Sequence, residues 1–153
     1  LGLRIQGSTG RFDKKHYVSI HKYLFEDIYP FAGKFREENI GKGEFRFASF
    51  EYIEPELDRL LNKLKEENFL KGLSKKELAK RLAYYLSELN VLHPFREGNG
   101  RTNREFIRQL ALENGYILNL KNVSPEYVLN SSIKSVVDTT DLEKIIDEML
   151  EKQ

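Results

Sequence analysis

Between His93 and Arg104 the chain reads His-Pro-Phe-Arg-Glu-Gly-Asn-Gly-Arg-Thr-Asn-Arg. Histidine titrates near neutrality and can take a proton from a hydroxyl. Glu97 offers a carboxylate of the kind magnesium accepts singly, filling the rest of its shell with phosphate and water. Gly98 and Gly100 are free to adopt φ > 0, and successive N–H groups in such a turn converge into an anion nest. A helix opening at Arg101 adds unpaired N–H groups and the positive end of its dipole. Arg101, Arg104 and Arg108 share one face of that helix, where guanidiniums can grip separate phosphates of a polyphosphate. A base, a metal ligand, an anion loop and arginines in one short segment point to phosphate chemistry with a hydroxyl as acceptor.

Each residue taken alone has a plainer use. The glycines suit any tight connection between helices. Arg101, Arg104 and Arg108 could form a solvated stripe, and Glu97 a surface ion pair with Arg96 or Arg101 worth ~0–1 kcal/mol. His93 closes a helix, where histidine often serves as a cap or dipole partner. Phe95 is expected to point inward as an anchor. His16 and His21 lie far away in sequence and have no comparable neighbours there. The phosphate reading rests on the features occurring together.

The elements that must carry this segment are mostly helical. Asp13 is an N-cap for a helix toward Ile28, with Tyr17, Ile20, Leu24, Phe25 and Ile28 at helical spacing. Pro30 and Gly33 end it. Phe35, Ile40, Phe45, Phe47 and Phe50 are scattered among charges around Gly41-Lys42-Gly43, so residues 34–50 read as a β-hairpin turning at those glycines. A helix follows over about 53–67. Ser74 to Glu77 is a capping box for another, which runs to Leu92. The helix opened by Arg101 stops at Gly115. Ser124-Pro125 starts a helix toward Val137, and Thr140 to Glu143 is a capping box for the last. The glycines at 2, 7 and 10 suggest an irregular start. The expected fold is mainly α, a helical bundle with one short hairpin, in one domain spanning 1–153.

Composition agrees with that scale. The chain has 153 residues, 40% hydrophobic and 32% charged, which is the balance of a soluble globular domain. Its net charge of +1 provides no general basic field, so nucleic acid is not the expected partner. The absence of cysteine excludes disulfides and thiolate zinc sites. No run approaches the ~20 apolar residues of a membrane span, and no signal-peptide pattern is present.

The segment His93 to Arg104 resembles the Fic signature, H-x-F-x-[DE]-G-N-G-R-x-x-R, at every defined position. The likeness extends over about residues 12–150. Leu24 to Gly33 resembles the exit of the first Fic helix. Lys42, Gly43, Glu44, Phe45, Arg46 and Phe47 resemble the hairpin "flap" on which targets dock. Asn103 to Tyr116 resembles the helix after the motif. The resemblance implies a protein adenylyltransferase that moves AMP from ATP to a Tyr, Thr or Ser hydroxyl, releases pyrophosphate and also modifies itself. By motif position His93 is then the general base and Glu97 holds Mg²⁺ against the α- and β-phosphates. Gly98, Asn99 and Gly100 cradle phosphate, Arg101 contacts the β-phosphate and Arg104 the γ-phosphate. Phe45 and Phe47 serve either the flap's docking strand or the core.

Many Fic proteins are restrained by a helix bearing [ST]-x-x-x-E-[GN]. The one partial match, Thr139 to Glu143, is followed by Lys144 and overlaps the capping box. The restraint is therefore expected from an antitoxin partner or from a segment upstream of Leu1. A Doc-like phosphotransferase is a second enzymatic reading, opposed by Gly100, where that branch carries lysine. A non-catalytic binding module is a third, opposed by the intact motif. The resemblance implies a bacterial cytoplasmic protein, or one delivered into another cell as part of a longer effector.

Overall fold

The computed structural model describes residues 11–121, 123–134, 138 and 140–153. The glycines at 2, 7 and 10, the helix end at Val137 and the motif-like Thr139 lie outside these residues.

Helix α1, Lys14–Phe25, starts where Asp13 accepts a hydrogen bond from the His16 amide at 2.9 Å. It buries Tyr17, Ile20 and Phe25. It stops a turn short of the expected end, and Ile28 is 62% exposed, so this residue leaves the apolar stripe. The chain has already turned there: the amides of Ile28 and Tyr29 both bond to the Phe25 carbonyl, and Gly33 completes the exit at φ +78°.

The hairpin is shorter than expected and turns elsewhere. Strand β1, Gly41–Lys42, pairs antiparallel with β2, Phe45–Arg46, in the register Gly41 to Arg46 and Lys42 to Phe45. Gly41 and Lys42 are therefore strand residues, and the turn falls at Gly43-Glu44 with Gly43 at φ +60°. Gly43 alone needs the left-handed region, which decides between the two glycines.

Helix α2, Ile53–Glu66, buries Leu57, Leu60, Leu61 and Leu64. The central helix α3 spans Lys75–Leu92, with Ser74 Oγ accepting from the Glu77 amide at its start. It packs against α2 and against the three helices that follow it: α4 (Asn99–Glu113), α5 (Pro125–Lys134) and α6 (Thr140–Met149). Gly115 follows α4 at φ +84°, as a C′ glycine should. Ser124 caps α5 by accepting from the Tyr127 amide. At α6 the cap differs from expectation. Thr140 is already helical, and its amide donates to Asp138 Oδ1 at 3.0 Å.

One pairing has no local signal. Strand β3, Tyr116–Leu118, pairs antiparallel with β4, Leu150–Lys152, closing the C-terminus onto the end of α4. Both strands are too short to show alternation. Leu118 and Leu150 face each other in the register and are buried, which anchors the pair to the core.

Candidate active site

The motif occupies the joint between α3 and α4. Helix α3 ends at His93, which adopts φ 50° and ψ 62°. The following Pro94 disfavours helical dihedrals at residue 93. A left-handed side chain other than glycine costs roughly 1–2 kcal/mol, so the surroundings must hold it. They do so on two sides. The His93 ring stacks on Phe47 of the flap at 3.9 Å between centroids and 8° between planes. Its carbonyl accepts a 2.6 Å hydrogen bond from Arg36. Phe47 thus packs inward, while Phe45 lies edge-on against it and stays half-buried. Phe95, the expected anchor, is fully buried and stacks on Tyr17 and His21.

Beyond Phe95 the loop is locked from within. Asn99 Oδ1 accepts from the Phe95 amide at 2.8 Å, and Asn99 Nδ2 donates to the Phe95 carbonyl at 2.7 Å. The Asn99 side chain is therefore a staple, and its backbone is what faces an anion. Helix α4 begins at Asn99 rather than Arg101, with Gly98 as N-cap at φ 85° and no side-chain cap. Gly100 is already helical, which corrects the expectation of a second left-handed glycine. Thr102 is the first residue whose amide closes back, onto the Gly98 carbonyl. The amides of Asn99, Gly100 and Arg101 precede it and have no backbone partner among the described residues. They form the open, positive end of a long helix.

The charged side chains then divide. Arg104 is half-buried and lines a cavity of about 150 Å³ together with His93, Asn99, Gly100 and Glu126. It also lines a larger adjoining cavity of about 390 Å³ with Arg101, Arg108, Leu120 and Lys121. Burial and the nearby Arg101 both lower its proton affinity, though a guanidinium remains charged. Arg101 is exposed, with its guanidinium over the Phe25 ring at 5.1 Å. Arg108 joins the same face but is held in a two-bond pair with Glu105. Glu97 is exposed, and among the described residues its carboxylate has no ion pair. Arg96, one alternative partner, binds Glu38 instead at 3.2 Å.

The flap residues are placed above this joint. Lys42 reaches across to Glu126 of α5 in an ion pair, and the Ala48 amide bonds to the Val91 carbonyl on α3. Glu44 and Arg46 are exposed at the hairpin.

Burial, and then the Arg36 guanidinium, push the His93 imidazole down to about 4, so the ring is neutral at physiological pH. Burial also lowers His16 and His21. A nuclear magnetic resonance titration of the three rings should find all of them below the ordinary 6.5, His93 furthest. The linked stability follows in sign. A folded-state value below the unfolded 6.5 means stability is fully present above 6.5 and is lost as pH falls toward 4. A His93 ring titrating at 6.5 would contradict its half-buried position against Phe47 and near Arg36.

His21 corrects the expectation that it lacks relevant neighbours. The Gly33 amide donates to its Nδ1 at 2.9 Å, so Nε2 carries the proton and donates to the Glu97 carbonyl at 2.9 Å. Its ring stacks on Phe95 at 3.7 Å. It ties the exit of α1 to the motif loop. His21→Leu should lower unfolding free energy by roughly 1–3 kcal/mol, because it strands a buried donor and acceptor. Urea unfolding would check this, and an unchanged midpoint would mean the bridge is not made. A second internal network was also invisible in the sequence. Tyr17 donates to Asn103, Asn103 to Asn90 at 2.6 Å and Asn90 to Ser132 at 2.9 Å, joining four helices behind the site.

The geometry describes a helical domain in which the open N-terminus of a helix, a neutral histidine and an arginine share one cavity. The Fic/DOC family profile matches residues 11–111, and the chain belongs to that family. It is 45% identical over 134 residues to the protein adenylyltransferase VbhT of Bartonella schoenbuchensis, covering 88% of this chain and 28% of that protein. It is 45% identical over 111 residues to the probable protein adenylyltransferase Fic of Salmonella typhimurium, covering 72% of this chain and 56% of that protein. The fold is similar to the N-terminal Fic domain of a putative cell filamentation protein from Bartonella quintana, solved with bound ADP. That match has a TM-score of 0.82–0.83 between its two crystal structures, at 25% identity and 99% coverage of this chain, against 80–82% of theirs. The chain spans about half or less of the length of these two curated relatives.

Proposed function

We propose that this chain, read as one Fic unit, transfers AMP from ATP to a hydroxyl side chain of a target protein, itself included. The observation that carries the reading is one cavity lined by neutral His93, by the open end of α4 at Asn99 and Gly100, and by Arg104. The names of the relatives and the ADP held by the Bartonella quintana domain support it.

The open amides of α4 and Gly98 would receive the α-phosphate. A target hydroxyl loses its proton to His93 as its oxygen bonds to the α-phosphorus. The bond from that phosphorus to the α–β bridging oxygen breaks in line, and pyrophosphate leaves with the electron pair. Arg101 and Arg104 would stabilise its charge, on the β- and γ-phosphate sides respectively. Phosphoryl chemistry of this type depends on positioning and charge stabilisation. The residues fit Mg²⁺ bound with the nucleotide. Among the described residues no cluster of three acidic or histidine side chains could cage a metal alone. The free Glu97 carboxylate can supply one ligand to an ion otherwise held by phosphate and water. When bound, the ion would neutralise phosphate charge. The flap, residues 42–47, would pair with an extended target loop through its strand edge.

ATP labelled at the α- or at the γ-phosphate, mixed with the protein, Mg²⁺ and a cell lysate, tests the proposal. Label on protein from the α position, absent with His93→Ala, supports AMP transfer. Label from the γ position alone would make the chain a phosphotransferase of the Doc kind. Gly100 opposes that outcome. We further read the restraint on such a site as coming from an antitoxin partner, and the place of action as a bacterial cytoplasm or a cell receiving a longer effector. Co-purification with a short protein that suppresses transfer would test the partner. No helix among the described residues is long and apolar enough to cross a membrane.

A further inference from the structure

Arg36 is 2% exposed, yet among the described residues no carboxylate pairs with it. The nearby Glu38 uses its carboxylate on Arg96. Burying a cation without a counter-ion is costly unless its donors are satisfied otherwise. Here they are satisfied by backbone carbonyls. Nε donates to His93 at 2.6 Å, and Nη2 donates to Leu92 at 3.1 Å and to Ala48 at 2.5 Å. Nη1 donates to Glu38 at 2.7 Å. The Arg36 amide adds a bond to the Pro94 carbonyl at 2.9 Å.

These acceptors form two groups. Leu92, His93 and Pro94 are three successive carbonyls at the end of α3, where helical partners run out and the dipole is negative. Glu38 and Ala48 lie on the two sides of the β1–β2 hairpin. One residue therefore ties both legs of the flap to the peptide groups around His93. The flap returns the contact through Phe47, stacked on the His93 ring.

We propose that Arg36 is a positioning residue that holds the flap and His93 as one rigid unit. A hydroxyl docked on the flap thereby meets the base at a fixed separation. The inference rests on the AMP-transfer reading for its catalytic consequence only. Lysine cannot replace the arginine, because its three donors radiate from one point and cannot reproduce a planar fork spanning two elements. Among the described residues, the charged side chains that line the same cavity as His93 are Arg104 and Glu126.

The test compares the wild-type chain with Arg36→Lys and Arg36→Met. It measures transfer from α-labelled ATP, ATP binding, titration of the His93 ring and amide exchange at Phe47 and Ala48. For Arg36→Lys the expected result is unchanged ATP affinity and a smaller rise in the ring titration than in Arg36→Met, since the charge is kept while the Phe47 cover loosens. Its kcat should fall by roughly 10²-fold, the scale of a small misplacement, with faster exchange at Phe47 and Ala48. Arg36→Met should show the same loss and raise the His93 titration further, since the cation is gone. Wild-type kcat and exchange in Arg36→Lys would overturn the proposal, as would ATP affinity falling in parallel with kcat. If neither variant folds, the wild type decides. A slowly exchanging Arg36 Nε–H supports the clamp and a rapidly exchanging one overturns it. Should the wild type transfer no label, the AMP-transfer reading fails, while ring titration and amide exchange still decide the clamp.

Discussion

His93→Ala should bind ATP as the wild type does and lose transfer by roughly 10²–10⁴-fold, the usual contribution of a positioned general base. The separation of binding from chemistry follows from the layout. The proposed phosphate donors are the amides at the start of α4 and the arginines beyond them, and none of these is bonded to the imidazole among the described residues. The ring lines the same cavity and is held there by its stacking on Phe47. Alanine at residue 93 would also sit in a left-handed conformation, so a backbone contribution must be separated out. His93→Asn does this, because asparagine tolerates that region better than most residues and cannot act as the base. Both variants should show the same loss at unchanged ATP affinity. Transfer at the wild-type rate in either one would remove His93 from the mechanism.

Gly98→Ala should abolish ATP binding and destabilise the fold. Gly98 sits at φ +85°, where a Cβ costs roughly 1–2 kcal/mol. That Cβ would also stand 2.7 Å from Phe25 Cζ, and closer still to Cε2. Phe25 is buried and cannot swing away freely, so overpacking adds roughly 1–3 kcal/mol. The displacement is transmitted, since Arg101 rests over the same ring. Gly100→Ala supplies the contrast. Gly100 is helical, and its added Cβ would meet only Arg104 Nη1, at 3.1 Å. Alanine is favoured over glycine within a helix by about 1 kcal/mol. Gly100→Ala should therefore keep or raise the unfolding midpoint while weakening ATP binding through Arg104. Thermal unfolding and calorimetric ATP titration of the two variants would check this. Equal behaviour of both would mean that conformation at Gly98 is not what shapes the loop.

Much of this protein is written locally in its chain. Asp13, Ser74 and Ser124-Pro125 mark helix starts, because a cap acts within three residues of itself, and each marks a helix start in the structure. Gly115 marks a helix stop for the same reason. The candidate site was legible because its parts are consecutive: the chain needs only one turn to bring His93, Gly98, Asn99, Gly100 and Arg104 together. Gly43, not Gly41, makes the hairpin turn, because register depends on pairing across the ladder rather than on the presence of glycine. Ile28 matches a helical stripe in sequence, yet the chain leaves the helix at Phe25 before that periodicity can apply.

What only the tertiary structure decided is how the site is held. His21 reaches the Glu97 carbonyl across 76 residues, and Arg36 reaches the His93 carbonyl across 57. Neither contact has a period or a spacing that a sequence pattern could carry. A buried arginine satisfied by carbonyls looks in sequence like any surface arginine, and a histidine bridging two backbone groups looks like any helical histidine. The left-handed backbone at His93 also belongs to this level. Pro94 stops the helix locally, but the conformation is held by Phe47 and Arg36, which arrive from another part of the chain. The sequence by itself determined which groups can do phosphate chemistry, because their types and order are local. The fold determined the protonation and orientation of His93, because burial and a distant cation set its charge state and long-range hydrogen bonds set its angle.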